Sequence, residues 1–297
     1  MEALKLDKKI RFEKEGPSGT GSYVTQMNYL SDEKILLTEY HQIGLYNTSA
    51  EKTFQLKIRD QVFKRDSLEE KETLSPRGLL DETGTYFLTT YEKGFGEILG
   101  LAKIHLKDKS LVKIPIPGLK DLEKFKVFFS DEQGMSAYHP SLYLQLVQGK
   151  ILISNSAINE VYAYDVQKDS LMKRSFESSI TANRQADNPR NQVSSSEEMD
   201  KIIQEMRKEV NFSRYAYDNL NKRYYRFSKE FEKETAEGNR FNIVLTTFDN
   251  GLNQIHETNA LSISKVPSKY FVKDGNLYLF ENIEDEMGFI VMEVQKL

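Results

Sequence analysis

The sequence predicts an all-β fold, a β-propeller of four-stranded antiparallel blades, and three observations carry that prediction. Short apolar runs of strand length recur along the chain, separated by polar turns rich in Gly, Asn and Asp. The stretch Gly149 to Phe176 holds one full set of such parts: the run Ile151 to Ile153, a polar loop, the run Val161 to Asp165, a tight turn, and a last strand from Ser170. The same order of parts can be found four more times, which is the signature of a repeated sheet.

The first repeat follows the turn segment Glu15 to Gly21, whose three glycines lack the Lys-Ser/Thr pair of a phosphate loop and read as a structural turn. Its strands are Ser22 to Leu30, Lys34 to Tyr40, Gln42 to Asn47 and Lys52 to Ile58, with Ser31-Asp32-Glu33 as the first turn. The second repeat takes Pro76 to Leu80, Thr85 to Tyr91, Leu99 to Leu106 and Ser110 to Ile116, with Glu92 to Ile98 as a long loop. Pro115 and Pro117 cannot donate to a ladder, so the last of these belongs at a sheet edge. The third repeat is the template, with Tyr143 to Val147 as its inner strand. Lys126 to Phe129, just upstream, reads as one extra strand.

An insertion from Glu177 to Val210 separates the third and fourth repeats. Its first half is Asn-, Gln- and Ser-rich loop. Its second half is helical: Ser195 and Glu198 form a capping box, and Met199, Ile202, Ile203 and Met206 fall on one helical face. The fourth repeat takes Phe212 to Tyr217, Lys222 to Ser228, Arg240 to Phe248 and Leu252 to Thr258, with a charged loop from Ser228 to Asn239 and a strong turn at Asp249-Asn250-Gly251. The fifth has Ser268 to Val272, Asn276 to Glu281 and Gly288 to Val294, one strand short.

The second-strand centres Leu36, Phe87, Leu152, Tyr225 and Tyr278 recur about every 50–55 residues, and the two wider gaps hold the two insertions. Five blades are visible. Ala3 to Phe12, an alternating segment, supplies the missing outer strand if the ring closes on itself. The expected organisation is a single domain over 1–297 with a loop-plus-helix insertion at 177–210.

Composition narrows the function classes. With 41 basic and 45 acidic residues the formal charge is -4, which gives no field for a nucleic-acid backbone, so no nucleic-acid partner is expected. There is no Cys, which excludes thiolate nucleophiles, disulfides and Cys-ligated zinc. The 17 Phe and 16 Tyr, with no Trp, suit half-buried strand positions. No run approaches the ~20 apolar residues of a membrane span, and MEALKLDKKI has no signal-peptide core. No cofactor motif is present. The four histidines, His41, His105, His139 and His256, show no metal-ligand spacing; Glu284-Asp285-Glu286 and Glu69-Glu70 lack calcium-loop spacing; Gly-x-Ser-x-Gly is absent.

In an antiparallel blade the turns between strands one and two, and three and four, lie at one end. Here those are uniformly short. The connections at the other end carry the length, including Tyr91 to Ile98, Ser154 to Asn159, Ser228 to Asn239 and Gly118 to His139. Long loops on a rigid scaffold are the usual seat of binding residues, so that face is the candidate functional face. Candidate binding residues are Tyr138 and His139, ahead of the third inner strand; Arg77, ahead of the second; Arg214, at the start of the fourth; and Arg226. In Arg223-Tyr224-Tyr225-Arg226-Phe227, Tyr224 and Arg226 face one side while Tyr225 and Phe227 face the other, which suits packing between blades.

LDKKIRFEKEGPSGTG, YDNLNKRYYRFS with a long insertion before it, and FNIVLTTFDNGLNQI after it resemble a family of uncharacterised lipoproteins of Gram-negative bacteria. The resemblance runs through nearly the whole chain. It implies a TolB-like propeller of six blades, a periplasmic or outer-membrane setting and no assigned activity. Family members carry a lipoprotein signal with its Cys and about one blade of strands ahead of the segment matching Lys5 to Gly21. Neither stands in this sequence, so Ala3 to Phe12 is expected to belong to a largely missing first blade or to a five-bladed closure. The function expected is a non-enzymatic binding or scaffolding module holding a protein, peptide or glycan; the alternative is a hydrolase or lyase acting on a saccharide or lactone.

Overall fold

Antiparallel hairpins build nearly everything in the computed structural model, which describes residues 8–294 apart from positions 31, 32, 41, 60, 95, 133, 237, 261, 262, 264, 265, 284 and 285. The chain forms two compact units, Met1–Lys120 and Asp121–Leu297. Most of its strands run up and down in chain order, and the fold is all-β, of the β-propeller class.

In the first unit, β1 (Gln26–Tyr29), β2 (Ile35–Thr38), β3 (Gln42–Tyr46) and β4 (Lys52–Lys57) form a four-stranded meander. The second sheet holds β5 (Lys64–Arg65), β6 (Glu72–Leu80), β7 (Tyr86–Lys93), β8 (Glu97–His105) and β9 (Ser110–Pro115), in the order β5-β9-β8-β7-β6. Strand alternation sends Leu36, Ile43 and Leu56 from one sheet and Leu80, Phe87, Ile104 and Leu111 from the other into one core. Each such side chain contributes about 1.5–3 kcal/mol on burial. At Gly78 a Cβ would lie 2.4 Å from the Phe87 ring and 2.5 Å from the Leu88 carbonyl, so only glycine fits. Its carbonyl accepts from the Gln26 amide at 3.1 Å, which joins the two sheets. β5 pairs with β9 only at Ser110 and Leu111, which leaves Pro115 on an open edge, as expected of it.

The glycine turn is structural. Gly16 and Gly21 have φ of 88° and 86°, and the Tyr46 hydroxyl donates to the Gly19 carbonyl at 3.1 Å. Just upstream, residues 8–12 join no ladder, contrary to the expected strand; Ile10 and Phe12 instead pack on Ile35, Leu37 and Tyr46. The rest of that segment, the Ser31-Asp32 turn, His41 and Glu284-Asp285 lie outside the described residues.

A 3-10 segment, Pro117–Phe125, leads into the second unit. The extra strand expected near residue 127 is there and has company: β10 (Val127–Asp131) pairs with β11 (Gly134–Tyr138) and, in parallel, with β16 (Gln192–Val193). The template stretch forms β13 (Lys150–Asn155), β14 (Glu160–Asp165) and β15 (Ser170–Ser175) beside β12 (Leu142–Val147). The next sheet holds β17 (Asn211–Phe212), β18 (Ala216–Asp218), β19 (Arg223–Thr235), β20 (Gly238–Phe248) and β21 (Gln254–Asn259). Then come β22 (Tyr270–Lys273), β23 (Asn276–Ile283) and β24 (Glu286–Glu293). Helix α1 (Ser196–Met206) starts where the capping box placed it: Ser195 Oγ accepts from the Glu198 N–H at 3.1 Å, and Met199 and Met206 are buried.

The adjacent residues Tyr224 and Tyr225 enter different cores. Tyr224 packs with Leu152, Ala163, Phe176 and Phe248; Tyr225 and Phe227 pack with Ile243, Tyr270, Leu277 and Leu279. The alternation read in Arg223 to Phe227 is therefore the geometry of this strand.

Three of the expected long loops differ. Glu92 to Ile98 is mostly strand, because β7 runs to Lys93 and β8 resumes at Glu97. Ser228 to Asn239 is a hairpin extension of β19 and β20, bulged between Phe231 and Lys233. Ser154, Asn155, Ser156, Ala157 and Asn159 are buried, not surface. The insertion covers them: the Asn159 N–H donates to the Asn183 carbonyl, and the Gln185 N–H to the Ala157 carbonyl, both at 2.9 Å or less.

Candidate functional site

The arrangement of interest lies where β12, the first strand of the β12–β15 sheet, meets the chain entering β18. Gln145 on β12 donates from its side-chain nitrogen to the Tyr215 carbonyl at 2.6 Å, and its oxygen accepts from the Tyr215 N–H at 2.8 Å. That pair of bonds fixes the segment Ser213–Tyr215 beside β12. The Tyr270 hydroxyl donates to the Arg214 carbonyl, which anchors the same segment from β22.

So placed, the Arg214 guanidinium acts on Tyr143 of β12. Burial pushes the Tyr143 hydroxyl above its ordinary pKa, the Ser141 hydrogen bond and the Arg214 charge pull against that rise, and Tyr138 adds to it. Tyr138, at the end of β11, thus shares its surroundings with Tyr143 and Arg214. His139 keeps exposed surface, but neighbouring protein strips enough water from its imidazole to push its pKa down. The charge of Lys126 adds to that shift, and the remaining exposure limits its size. Lys126 is itself buried, 3.5 Å from Glu123 and with its amine 5.9 Å from the Phe128 ring centre.

Tyr138 and Arg214 both act on Tyr143, and His139 follows Tyr138 in the chain. Arg226 is not at the surface. It is 1% exposed, and its guanidinium lies 4.9 Å from the Phe212 ring centre, 5.0 Å from Tyr215, 5.3 Å from Phe248 and 5.6 Å from Phe176. One terminal nitrogen donates to the Tyr215 hydroxyl at 2.9 Å and the other to Asn159 Oδ1. Its Nε is buried without a hydrogen-bond partner. Strand alternation put Arg226 on the face of Tyr224; an interior aromatic cage then took it out of reach of any ligand. Arg77 belongs to the first unit. It is exposed on the bulge of β6, where its carbonyl accepts from Thr89 Oγ1 at 2.7 Å.

Sequence reasoning missed Tyr143 and Gln145. Both lie in an inner strand read only as an apolar run, and the one available signal was a polar Gln between Leu144 and Leu146. Among the described residues no group of three His, Asp or Glu side chains is placed to hold a metal ion. No helix among them is long and apolar enough to cross a membrane.

A family model described as a domain of unknown function, DUF4221, matches residues 1–259. The chain belongs to the DUF4221 family. No curated protein matches it. Among solved structures it is similar to a DUF4221 member from Bacteroides vulgatus, with 14% identity over 97% of this chain and 83% of the other, at a TM-score of 0.62. At that identity the likeness shows a shared fold. More distant likenesses are to the Neurospora crassa Pan2 WD40 domain (7% identity, 87% and 59% of the chains, TM-score 0.46) and to Porphyromonas gingivalis dipeptidyl peptidase 4 (8%, 92% and 38%, TM-score 0.42). Neither carries a functional argument for the family.

Proposed function

We propose that this DUF4221 chain is a non-enzymatic binding module that holds a protein, peptide or glycan at the surface around Tyr138, His139, Tyr143 and Arg214. The observation that supports this reading is the sign of the charges acting there. Tyr143 feels Arg214 and Tyr138, and His139 feels Lys126; among the described residues no carboxylate contributes to either shift. A general acid–base pair needs partners whose environments push their pKa values apart, most often with an acid among them. Phenols, an imidazole and a guanidinium without an acid suit hydrogen bonding and stacking instead. The alternative, a hydrolase or lyase for a saccharide or lactone, calls for paired carboxylates, and among the described residues none acts on Tyr143 or His139. The TolB-like character, the blade number and the envelope setting implied by the resemblance belong to this proposal too.

The test is an array of envelope glycans and peptides probed with the purified chain, followed by titration of any hit. Arg214→Glu should weaken a hit at least about tenfold, the cost of reversing a charge in a hydrogen-bonded contact, and Arg77→Glu should leave it unchanged. Equal binding by wild type and Arg214→Glu sinks the reading, as does turnover of a saccharide.

A further inference from the structure

The main chain around Arg214 is anchored at each step while its side chain is left free. The Ser213 N–H donates to the Phe227 carbonyl at 2.9 Å, the Tyr270 hydroxyl donates to the Arg214 carbonyl, and Gln145 takes both main-chain groups of Tyr215. The Arg214 guanidinium, on a half-buried residue, has no ion pair and no hydrogen bond among the described residues. Its charge reaches the hydroxyls of Tyr143 and Tyr270, and the second of these is already committed to the Arg214 carbonyl. The N–H donors of the fork thus stand on a fixed backbone, open to an acceptor from outside.

A second group beside it lacks a partner. β12 and β13 pair Tyr143 with Ser154 and Gln145 with Leu152. Paired residues share a face, and so do residues two apart on one strand. Tyr143, Gln145 and Ser154 therefore lie on the one face from which Gln145 holds Tyr215. Ser154 is 1% exposed, and its Oγ has no hydrogen-bond partner among the described residues. A buried hydroxyl left so works against the fold. An oxygen brought in beside Tyr143, or a water ordered by one, completes it.

Charge selects the kind of ligand. Lys126 already stands 3.5 Å from Glu123, which leaves Arg214 as the cation without an acid among the groups that act on Tyr143 and His139. One cation matches the single charge of a carboxylate better than a phosphate, which carries close to two at neutral pH. The planar guanidinium fork also takes both carboxylate oxygens at once. The groups around it, the phenols of Tyr138 and Tyr143, the His139 imidazole and the Ser154 hydroxyl, each donate and accept, as the hydroxyls of a sugar ring do. Peptide recognition rests on strand edges or apolar pockets, and this group is made of polar side chains instead.

On the binding role already given to this surface, we propose that its ligand is a sugar acid, free or at the end of a glycan, with its carboxylate on the Arg214 fork and its ring hydroxyls on Tyr138, His139 and Tyr143. Isothermal titration of the full chain at constant ionic strength tests this. The probes are galacturonate and glucuronate, each as monomer and trimer, their methyl esters, galactose 6-phosphate, and a short peptide with a free C-terminal carboxylate. The two lengths separate a free sugar acid from a glycan end.

At least one acid should bind with a Kd below about 1 mM. Its methyl ester, which keeps the ring and loses the charge, should bind at least about tenfold more weakly. That comparison uses the wild-type chain, so no folding defect can imitate it. Arg214→Gln should weaken the acid by a similar factor, and Arg77→Gln, exposed in the first unit, should not. Three results overturn the proposal: no saturable binding of any acid, an ester, phosphate or peptide bound as tightly as the acid, or acid binding that survives Arg214→Gln. Another ligand that binds and is lost in Arg214→Glu would overturn the sugar acid yet keep the binding role of the surface; binding of nothing removes both.

Discussion

The side chain of Gln145 grips both main-chain groups of Tyr215, giving to the carbonyl and taking from the N–H across 70 residues of sequence. A strand ladder would satisfy those groups with backbone; here one amide does so and ties two sheets together. Because an amide both donates and accepts, no carboxylate or aliphatic residue of the same size can replace it. Gln145→Glu should cost about 2 kcal/mol, since it loses the donor and sets a charge beside a carbonyl. Urea unfolding checks this, and an unchanged midpoint would show that the two bonds are dispensable.

Arg226 and Asn159 make a second prediction. The guanidinium is caged by four rings and has no ion-pair partner among the described residues. Burial pushes the Tyr215 hydroxyl up to about 12, against the pull of Arg226, so it remains a phenol that accepts the guanidinium's hydrogen bond at neutral pH. Asn159→Ala should destabilise by about 1–3 kcal/mol, the cost of a buried polar group left unpaired. Arg226→Met should be milder than Arg226→Ala, because a buried charge without a carboxylate is replaced by volume rather than by a void. Thermal unfolding of the three variants ranks them.

Glu72 and Lys113 should make the first unit acid-sensitive. Their charged atoms lie 2.8 Å apart, with the Glu72 side chain 4% exposed. Burial pushes the Glu72 carboxyl up, but the hydrogen bond from Lys113, the backbone bond at Glu69 and the nearby lysines outweigh it, and the net shift is downward. A carboxyl depressed on folding contributes stability above its unfolded pKa, and that stability is lost as the pH falls through the folded value. Between pH 6 and pH 3 the wild type should therefore lose stability that Glu72→Gln does not. Parallel stability curves for the two proteins would contradict this.

His139 should titrate below its ordinary value of 6.5, because partial burial and the charge of Lys126 both disfavour the imidazolium. Lys126→Met should move the midpoint upward, and NMR of the imidazole protons reads it directly. The sign for stability is the same as for a depressed acid. The native fold holds its advantage above pH 6.5 and loses part of it as the pH falls through the folded pKa.

Much of the fold was legible in advance because it depends on local periodicity. A period of two assigned Tyr224 and Tyr225 to opposite faces, and those faces met different cores. A Ser three residues ahead of a Glu placed the start of α1. The misread loops share one cause. In Lys229 to Glu234 the ribbon extends into solvent, its side chains alternate Lys or Phe with Glu, and no apolar face marks it as strand. Its support is cross-strand: Arg240 Nε donates to Glu232 at 2.9 Å, and Phe231 meets Phe241 edge to face. The burial of Ser154 to Asn159 left no pattern either, since its cover is an Asn- and Gln-rich segment some two dozen residues downstream that bonds through amides.

For the site the division is similar. Placing Tyr138, His139 and Arg214 at the ends of inner strands followed from the order of the repeats. The alternation of side chains by itself determined which residues share a face, because one Cα step reverses direction in any extended strand. Whether a face then meets solvent, a core or a cavity was decided by tertiary register. Arg226 went into an aromatic cage, and Ser154, paired with Tyr143, was buried with its hydroxyl unpartnered among the described residues. Charge and burial depend on which strands become neighbours, and that is a property of long-range pairing rather than of any stretch of chain.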